Sequence, residues 1–192
     1  MEMTAKFSQA QKILDAAYEC LATRGYAQVS LREIAQKAGV VLSQLNYYYG
    51  SKQGLFIEVV NMVKKKYLAR FEEYLKEGTT PQEKMASLKR FFQEMLNNDP
   101  GLFRIFYDLT GLALWSPVFG NLLRKLFREL SQKIEEYILS PNPPGENFKG
   151  YSSQHMARMI LGAMYGTAIQ VLLDPGEERL ADSIGAIQLL LE

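Results

Sequence analysis

Along most of this 192-residue chain, apolar residues recur at three- and four-residue steps, and most of these runs begin at a polar cap. Ile13, Ala16, Ala17, Cys20 and Leu21 form one stripe, which predicts a first helix ending at Gly25, where a residue tolerant of positive φ is wanted. Met85, Leu88, Phe92 and Met95 repeat the pattern, as do Leu122, Leu126, Leu130, Ile134 and Ile138. Ser8 with Gln11 and Ser30 with Glu33 read as capping boxes, and Ser51 as the cap of a further helix. Thr80-Pro81, Asp99-Pro100 and Ser116-Pro117 read as cap-plus-proline starts. Strand-like alternation is confined to residues 26–31, "YAQVSL", which reads as a connection. Residues 140–150, "SPNPPGENFKG", read as an exposed loop before a helix near Ser152. The expected fold is all-α.

Two of the helices are very short. They lie between Leu31 and Tyr49, are separated by "AGVV", and fit a helix-turn-helix. Ile34, Ala38, Val40, Leu45 and Tyr48 fall where side chains turn inward, Ala35 is small where the backbones approach closest, and Gly39 suits a left-handed stop. With those positions inside, Leu42, Ser43, Gln44, Asn46 and Tyr47 face outward, a surface suited to base edges in a major groove. Gln44 and Asn46 are each able to pair with adenine, and Val41 or Leu42 to touch a thymine methyl. The three consecutive tyrosines point about 100° apart and so divide their roles. Tyr48 takes the core edge, Tyr47 a phosphate or base, and Tyr49 the packing beneath the next helix. Lys52, at the first turn of that helix, is a candidate phosphate anchor, with Ser30 and Arg32 clamping the opposite backbone.

Charge adds a mild lean. Residues 1–52 hold six basic and four acidic groups, a net +2, and the remainder carries −1 of the overall +1. The single cysteine excludes an internal disulfide and fits a reducing, cytoplasmic setting. No secretory signal is visible, and the longest uncharged, mostly apolar run, residues 159–173, is short of the roughly 20 residues of a bilayer span. No membrane association is expected.

The segments "ILDAAYECLATRGY", "SLREIAQKAGV" and "LNYYYGSKQGLF" resemble the N-terminal DNA-binding region of TetR-family transcriptional regulators, over about residues 10–57. The resemblance implies a three-helix helix-turn-helix domain at 1–50 and a helical effector-binding and dimerisation domain at 51–192. About nine helices are then expected, helix 4 (about 51–76) connecting the two parts. It also implies a repressor that binds a palindromic double-stranded DNA operator as a homodimer and is released by a small apolar or amphipathic effector. A rival reading keeps the DNA head but gives the body protein contacts, as in an activator or architectural factor. The chain departs from the family pattern at Val41, where Ser is common and which cannot cap a helix, and at Ser43, where Gly is frequent. Either Val41 or Ser43 then begins the recognition helix. Asn46 stands where Tyr is frequent.

Within the implied body, Phe103, Phe106, Tyr107, Trp115, Phe119, Met156, Met159, Met164 and Tyr165 make the middle rich in aromatics and methionines, as a cavity for an apolar ligand requires. Ordinary core packing accounts for the same residues. Polar orientation falls to Tyr107, Tyr165, Arg104, Asp108, His155 or Gln170, among which the sequence does not choose. Gly162 and Gly166 in "GAMYGTA" suit close helix approach, and Leu180, Ile184, Ile187 and Leu191 need a partner surface, so both stretches are candidates for a four-helix dimer seam. Cys20 reads as a buried small hydrophobe, and the Lys64, Lys65 and Lys66 run as a solvated face. One histidine, one cysteine and no Gly-rich phosphate loop supply neither a metal site nor a catalytic constellation. Neither an enzyme nor a cofactor is expected.

Overall fold

The computed structural model describes residues 2–140, 150–177 and 179–191, with residues 2–8 and 187–191 described as backbone alone. Among the described residues all regular structure is helical: α1 (Glu2–Gln28), α2 (Leu31–Ala38), α3 (Leu42–Tyr49), α4 (Lys52–Lys76), α5 (Pro81–Asn98), α6 (Pro100–Ala113), α7 (Pro117–Ile134) and α8 (Ser153–Leu173). A π turn (Glu135–Leu139) closes α7 and a 3₁₀ helix (Leu180–Leu191) follows α8. The all-α class with about nine helices is therefore the observed one. Most of the predicted loop at 140–150 lies outside the described residues.

Most of the start signals work as read. Ser30 and Thr80 form complete capping boxes with Glu33 and Glu83, Ser51 Oγ accepts from the Gly54 N–H at 3.1 Å, and Ser152 Oγ accepts from the His155 N–H at 3.3 Å. Pro81, Pro100 and Pro117 each open a helix. Ser8 is the exception, since α1 is already helical from Glu2. Gly25 interrupts α1 with φ 77° and ψ 164°, a conformation essentially restricted to glycine. A Cβ there would also lie 3.1 Å from Asp108 Oδ2, a tight contact to which the carboxylate would have to yield.

The helices pack as two compact units, one of residues 1–66 with 104–122, the other of residues 67–103 with 123–192. The division read from sequence lay at residue 51; this packing boundary falls inside α4. In the first unit α1 contacts both α2 and α3, and the predicted stripe of Ile13, Ala16, Ala17, Cys20 and Leu21 is buried. In the second, α5 and α8 both pack against the π turn and the 3₁₀ helix. Met85, Leu88, Phe92 and Met95 are buried there, as are Ile134 and Ile138 at the end of the α7 stripe. Glu72 on α4 accepts hydrogen bonds from Lys133 and Tyr137 and pairs with Lys76 at 2.7 Å. The Lys133 hydrogen bond, followed by those of Lys76 and Tyr137, lowers its carboxyl to about 2.

The 21-residue α8 has the length and apolar composition to cross a bilayer, although its longest uncharged run is shorter. The core helix of a water-soluble bundle meets the same criteria. Met156, Ala157, Ile160, Met164 and Ala168 bury one face of it within the second unit.

Candidate nucleic-acid interface

α2 ends at Gly39 in the left-handed region (φ 67°, ψ 34°), and the Val40 N–H returns to the Ala35 carbonyl at 3.0 Å. This turn sets the angle at which α3 leaves. α3 begins at Leu42 with Val41 as its N-cap. A valine side chain has no acceptor, so the helix is capped from within: Gln44 Oε1 accepts from the Val41 N–H at 3.3 Å. The open choice between Val41 and Ser43 resolves to the earlier start. Gln44 then stands half-buried on its own cap.

Three contacts fix α3 in place. Leu45 is fully buried, the Tyr49 hydroxyl donates to the Ala10 carbonyl of α1 at 2.8 Å, and the Tyr48 hydroxyl donates to Gln9 Oε1 at 3.4 Å. Burial, followed by the charge of Glu58, pushes the Tyr49 phenol up to about 12. On the opposite side Ser43 and Asn46 are exposed, Val41 is 61% exposed and Tyr47 71% exposed, with Leu42 half-buried beside them. Tyr47 lies edge-on to Tyr48 at 5.5 Å. The outward set expected from sequence thus lies outward, apart from the half-buried Leu42 and Gln44.

The cations around α2 and α3 are unequally available. Arg24 pairs with Glu33 at 2.8 Å and Lys37 with Glu19 at 2.7 Å. Arg32 is exposed, with no hydrogen bond or ion pair among the described residues. Lys52 Nζ sits 4.5 Å from the centroid of the Tyr26 ring and donates to the Ala27 carbonyl at 3.4 Å, which holds its charge at the start of α4. Ser30 is occupied by its capping box, both as acceptor from the Glu33 N–H and as donor to Glu33 Oε2.

Glu33 is held at about 2, first by the Ser30 backbone N–H and then by Arg24. Its folded value lies below the ordinary 4.5, so its contribution to stability is complete above pH 4.5 and is lost as pH falls towards 2. A Glu33→Gln variant is expected to be less stable than the parent at neutral pH and to converge with it in acid. Urea unfolding at pH 7 and pH 3 checks this, and an equal difference at both would contradict it.

A contact invisible in the sequence ties the end of α1 to α6 within the first unit. The Tyr26 N–H donates to Asp108 Oδ2 at 2.6 Å, across 82 residues. The Tyr26 ring packs on Phe56 at 4.8 Å and on Phe119 at 6.2 Å, and Phe56 meets Phe119 at 5.6 Å. Phe119, read from sequence as a pocket residue, is thus buried in the same unit as α1–α3.

The other expected pocket residues fall in both units, Phe106, Tyr107 and Trp115 in the first and Phe103, Met159, Met164 and Tyr165 in the second. Phe103 stacks edge-on against Phe92 at 5.7 Å, Phe106 and Tyr107 are half-buried, Trp115 is 88% exposed and Met159 43% exposed, while Met164 is buried. A cavity of about 590 Å³ does lie in the second unit, lined by Arg124, Phe127, Arg128 and Ser131 of α7 and by Arg158, Leu161, Gly162 and Tyr165 of α8. Of the predicted ligand residues only Tyr165 reaches it, its ring 5.5 Å from Phe127. Arg124, Arg128 and Arg158 are exposed and belong to no motif, so nothing local in the sequence marks them. No cluster of three or more His, Cys, Asp or Glu able to hold a metal is found among the described residues.

Residues 13–59 match the family model for bacterial regulatory proteins of the TetR family, a span that runs from α1 through α3 into α4. The chain carries the N-terminal region of the TetR family. It is 33% identical over 136 residues to the fatty acid metabolism regulator protein of Bacillus subtilis, an alignment covering 71% of this chain and 63% of that one. The chain therefore spans less than two thirds of that relative's length. Among solved structures, a transcriptional regulator from Rhodococcus sp. RHA1 superposes with a TM-score of 0.82 at 18% identity, over 95% of each chain. The Bacillus subtilis FadR in complex with stearoyl-CoA superposes with a TM-score of 0.72 at 24% identity, over 94% of this chain and 96% of that one. At these identities the structural likeness is one of fold.

In this chain the candidate dimer residues have different surroundings. A Cβ added at Gly162 or Gly166 meets nothing within 4 Å, so packing within one chain does not require glycine at either. Leu180 is half-buried, and Ile184 is 4% exposed within a single chain, which leaves it little surface for a partner. The side chains of Ile187 and Leu191 lie outside the described residues.

Proposed function

We propose that the chain is a cytoplasmic, non-enzymatic transcriptional regulator that binds a near-palindromic DNA operator as a homodimer, represses from it, and is released by a small apolar or amphipathic effector. The observation that carries this reading is the exposed face of α3, held at a fixed angle by Leu45, Tyr48 and Tyr49. A recognition helix contacts base edges mainly through its N-terminal residues, here Leu42 and Ser43, with Gln44 available once it leaves its cap; Asn46 and Tyr47 extend the same exposed side into the second half of α3. Asn46 is suited to adenine, Val41 and Leu42 to a thymine methyl, and Arg32 and Lys52 to the phosphates on either side, with Ser30 joining them only if its hydroxyl leaves Glu33. Two such helices reach successive major-groove faces when their centres lie about 34–36 Å apart.

α4 contributes residues to both compact units, so its displacement by an effector is the proposed route to a changed spacing. The naming of the Bacillus relative as a fatty acid metabolism regulator, and the stearoyl-CoA bound to FadR, support an acyl-type amphiphile as effector class.

Selection from random duplexes at low salt is expected to enrich two half-sites related by a dyad, about 10 base pairs between centres. Failure to enrich any motif would remove the regulator reading. The dimer is tested at Gly166, where the open surroundings let a single chain accept a larger side chain. Gly166→Leu is expected to leave the circular dichroism unchanged and to shift sedimentation from dimer to monomer at micromolar concentration; an unaltered dimer would place the seam elsewhere.

A further inference from the structure

The cavity between α7 and α8 sets three exposed arginines beside a largely apolar wall. Arg124 and Arg128 are four residues apart on α7, and therefore on one face, and Arg158 of α8 borders the same space. No carboxylate lines it. The ion pairs described for the second unit engage Arg70, Lys76, Arg90 and Lys133, not Arg128 or Arg158.

The remaining walls are largely apolar. Phe127 and Tyr165 meet edge to face at 5.5 Å, and Leu161 is half-buried alongside. Ser131 is buried, and its hydroxyl donates to the Arg128 carbonyl at 3.1 Å, so it has a partner within α7. Gly162 puts no side chain into the space. A volume of about 590 Å³ lies within the roughly 300–1,000 Å³ of small-molecule pockets.

We propose that this cavity binds an organic anion with an apolar tail, its carboxylate or phosphate seated among Arg124, Arg128 and Arg158 and its tail laid along Phe127, Leu161 and Tyr165. The planar guanidinium fork matches both anions. The site names the effector chemistry of the proposed function and rests on that reading only for its regulatory consequence. A neutral amphiphile lacks the charge, and a free inorganic anion lacks the tail.

The test titrates decanoate, decyl phosphate, neutral decyl glucoside and inorganic phosphate into the full-length chain by calorimetry, below micelle-forming concentrations. Decanoate, decyl phosphate or both should bind the parent at least tenfold more tightly than decyl glucoside and inorganic phosphate do, and whichever is tighter identifies the headgroup. Arg128→Gln/Arg158→Gln should weaken anion binding at least tenfold with unchanged circular dichroism and sedimentation, and each single variant should fall between. The proposal is overturned if the double variant binds the anions as well as the parent does, or if inorganic phosphate alone binds as tightly. It is also overturned if the double variant loses its oligomeric state while keeping its anion affinity, which would assign the arginines to an interface between copies. Duplex selection separates the two readings: an operator without anion binding removes this site alone, and anion binding through the arginines without any operator removes the regulator reading alone.

Discussion

Replacing Phe56 with alanine is expected to cost about 3–5 kcal/mol of unfolding free energy. The ring is 1% exposed and touches both Tyr26 and Phe119, so truncation opens a void among aromatic neighbours held by helices α1, α4 and α7. The penalty combines the lost transfer of a large apolar group with the cavity left behind, because rings fixed from three directions collapse only partly. Thermal unfolding followed by circular dichroism is expected to shift by roughly 6–20 °C, at about 2–4 °C per kcal/mol for a chain of this length. Trp115→Ala is the contrasting case: a larger ring, but 88% exposed, so its loss is expected to stay within about 0.5 kcal/mol. If the two variants lost equal stability, burial would not be what distinguishes these rings.

The second large effect concerns recognition and leaves the fold alone. Asn46→Ala and Tyr47→Ala remove exposed side chains from the outward face of α3, away from the buried Leu45. Each is expected to weaken binding to a selected operator by about 5- to 150-fold, the equivalent of roughly 1–3 kcal/mol per base-reading contact. Binding to unrelated duplex depends on phosphate contacts and should fall far less, with its salt dependence retained. Arg32→Ala should do the reverse, weakening all duplexes together and flattening the salt slope by about one unit. Fluorescence anisotropy with operator and scrambled duplex at two salt concentrations reads both effects. Equal losses on the two duplexes for Asn46→Ala would move that residue from base edge to backbone.

The acid sensitivity expected at Glu33 bears on the same surface. Its carboxylate satisfies the Ser30 N–H at the start of α2 and holds Arg24, so protonation loosens the helix on which α3 is mounted.

Much of the fold was legible because its signals are local. A capping box is closed within four residues, a proline start within two, and a buried stripe repeats every turn, so Ser30, Thr80, Pro117 and the α1 stripe could be read without tertiary information. The α2–turn–α3 unit belongs to the same class, since Gly39 and the inward set around Leu45 lie within about a dozen residues of one another. The outward residues Ser43, Asn46 and Tyr47 followed by subtraction.

What sequence could not supply was the outcome of competition between distant groups. That Asp108 would cap Tyr26, or that Phe119 would be buried in the unit of α1–α3, depends on a contact spanning 82 residues or more, for which periodicity carries no information. An aromatic residue likewise has the same local pattern whether it lines a cavity, as Tyr165 does, or stands in solvent, as Trp115 does. The sequence by itself determined the helices of the described residues and the outward face of α3, because helix periodicity and caps act over single turns, and its motifs gave the resemblance to the family. Tertiary packing alone decided where the cavity lies and that arginines border it, because the faces of α7 and α8 acquire a shared space only once the chain has folded.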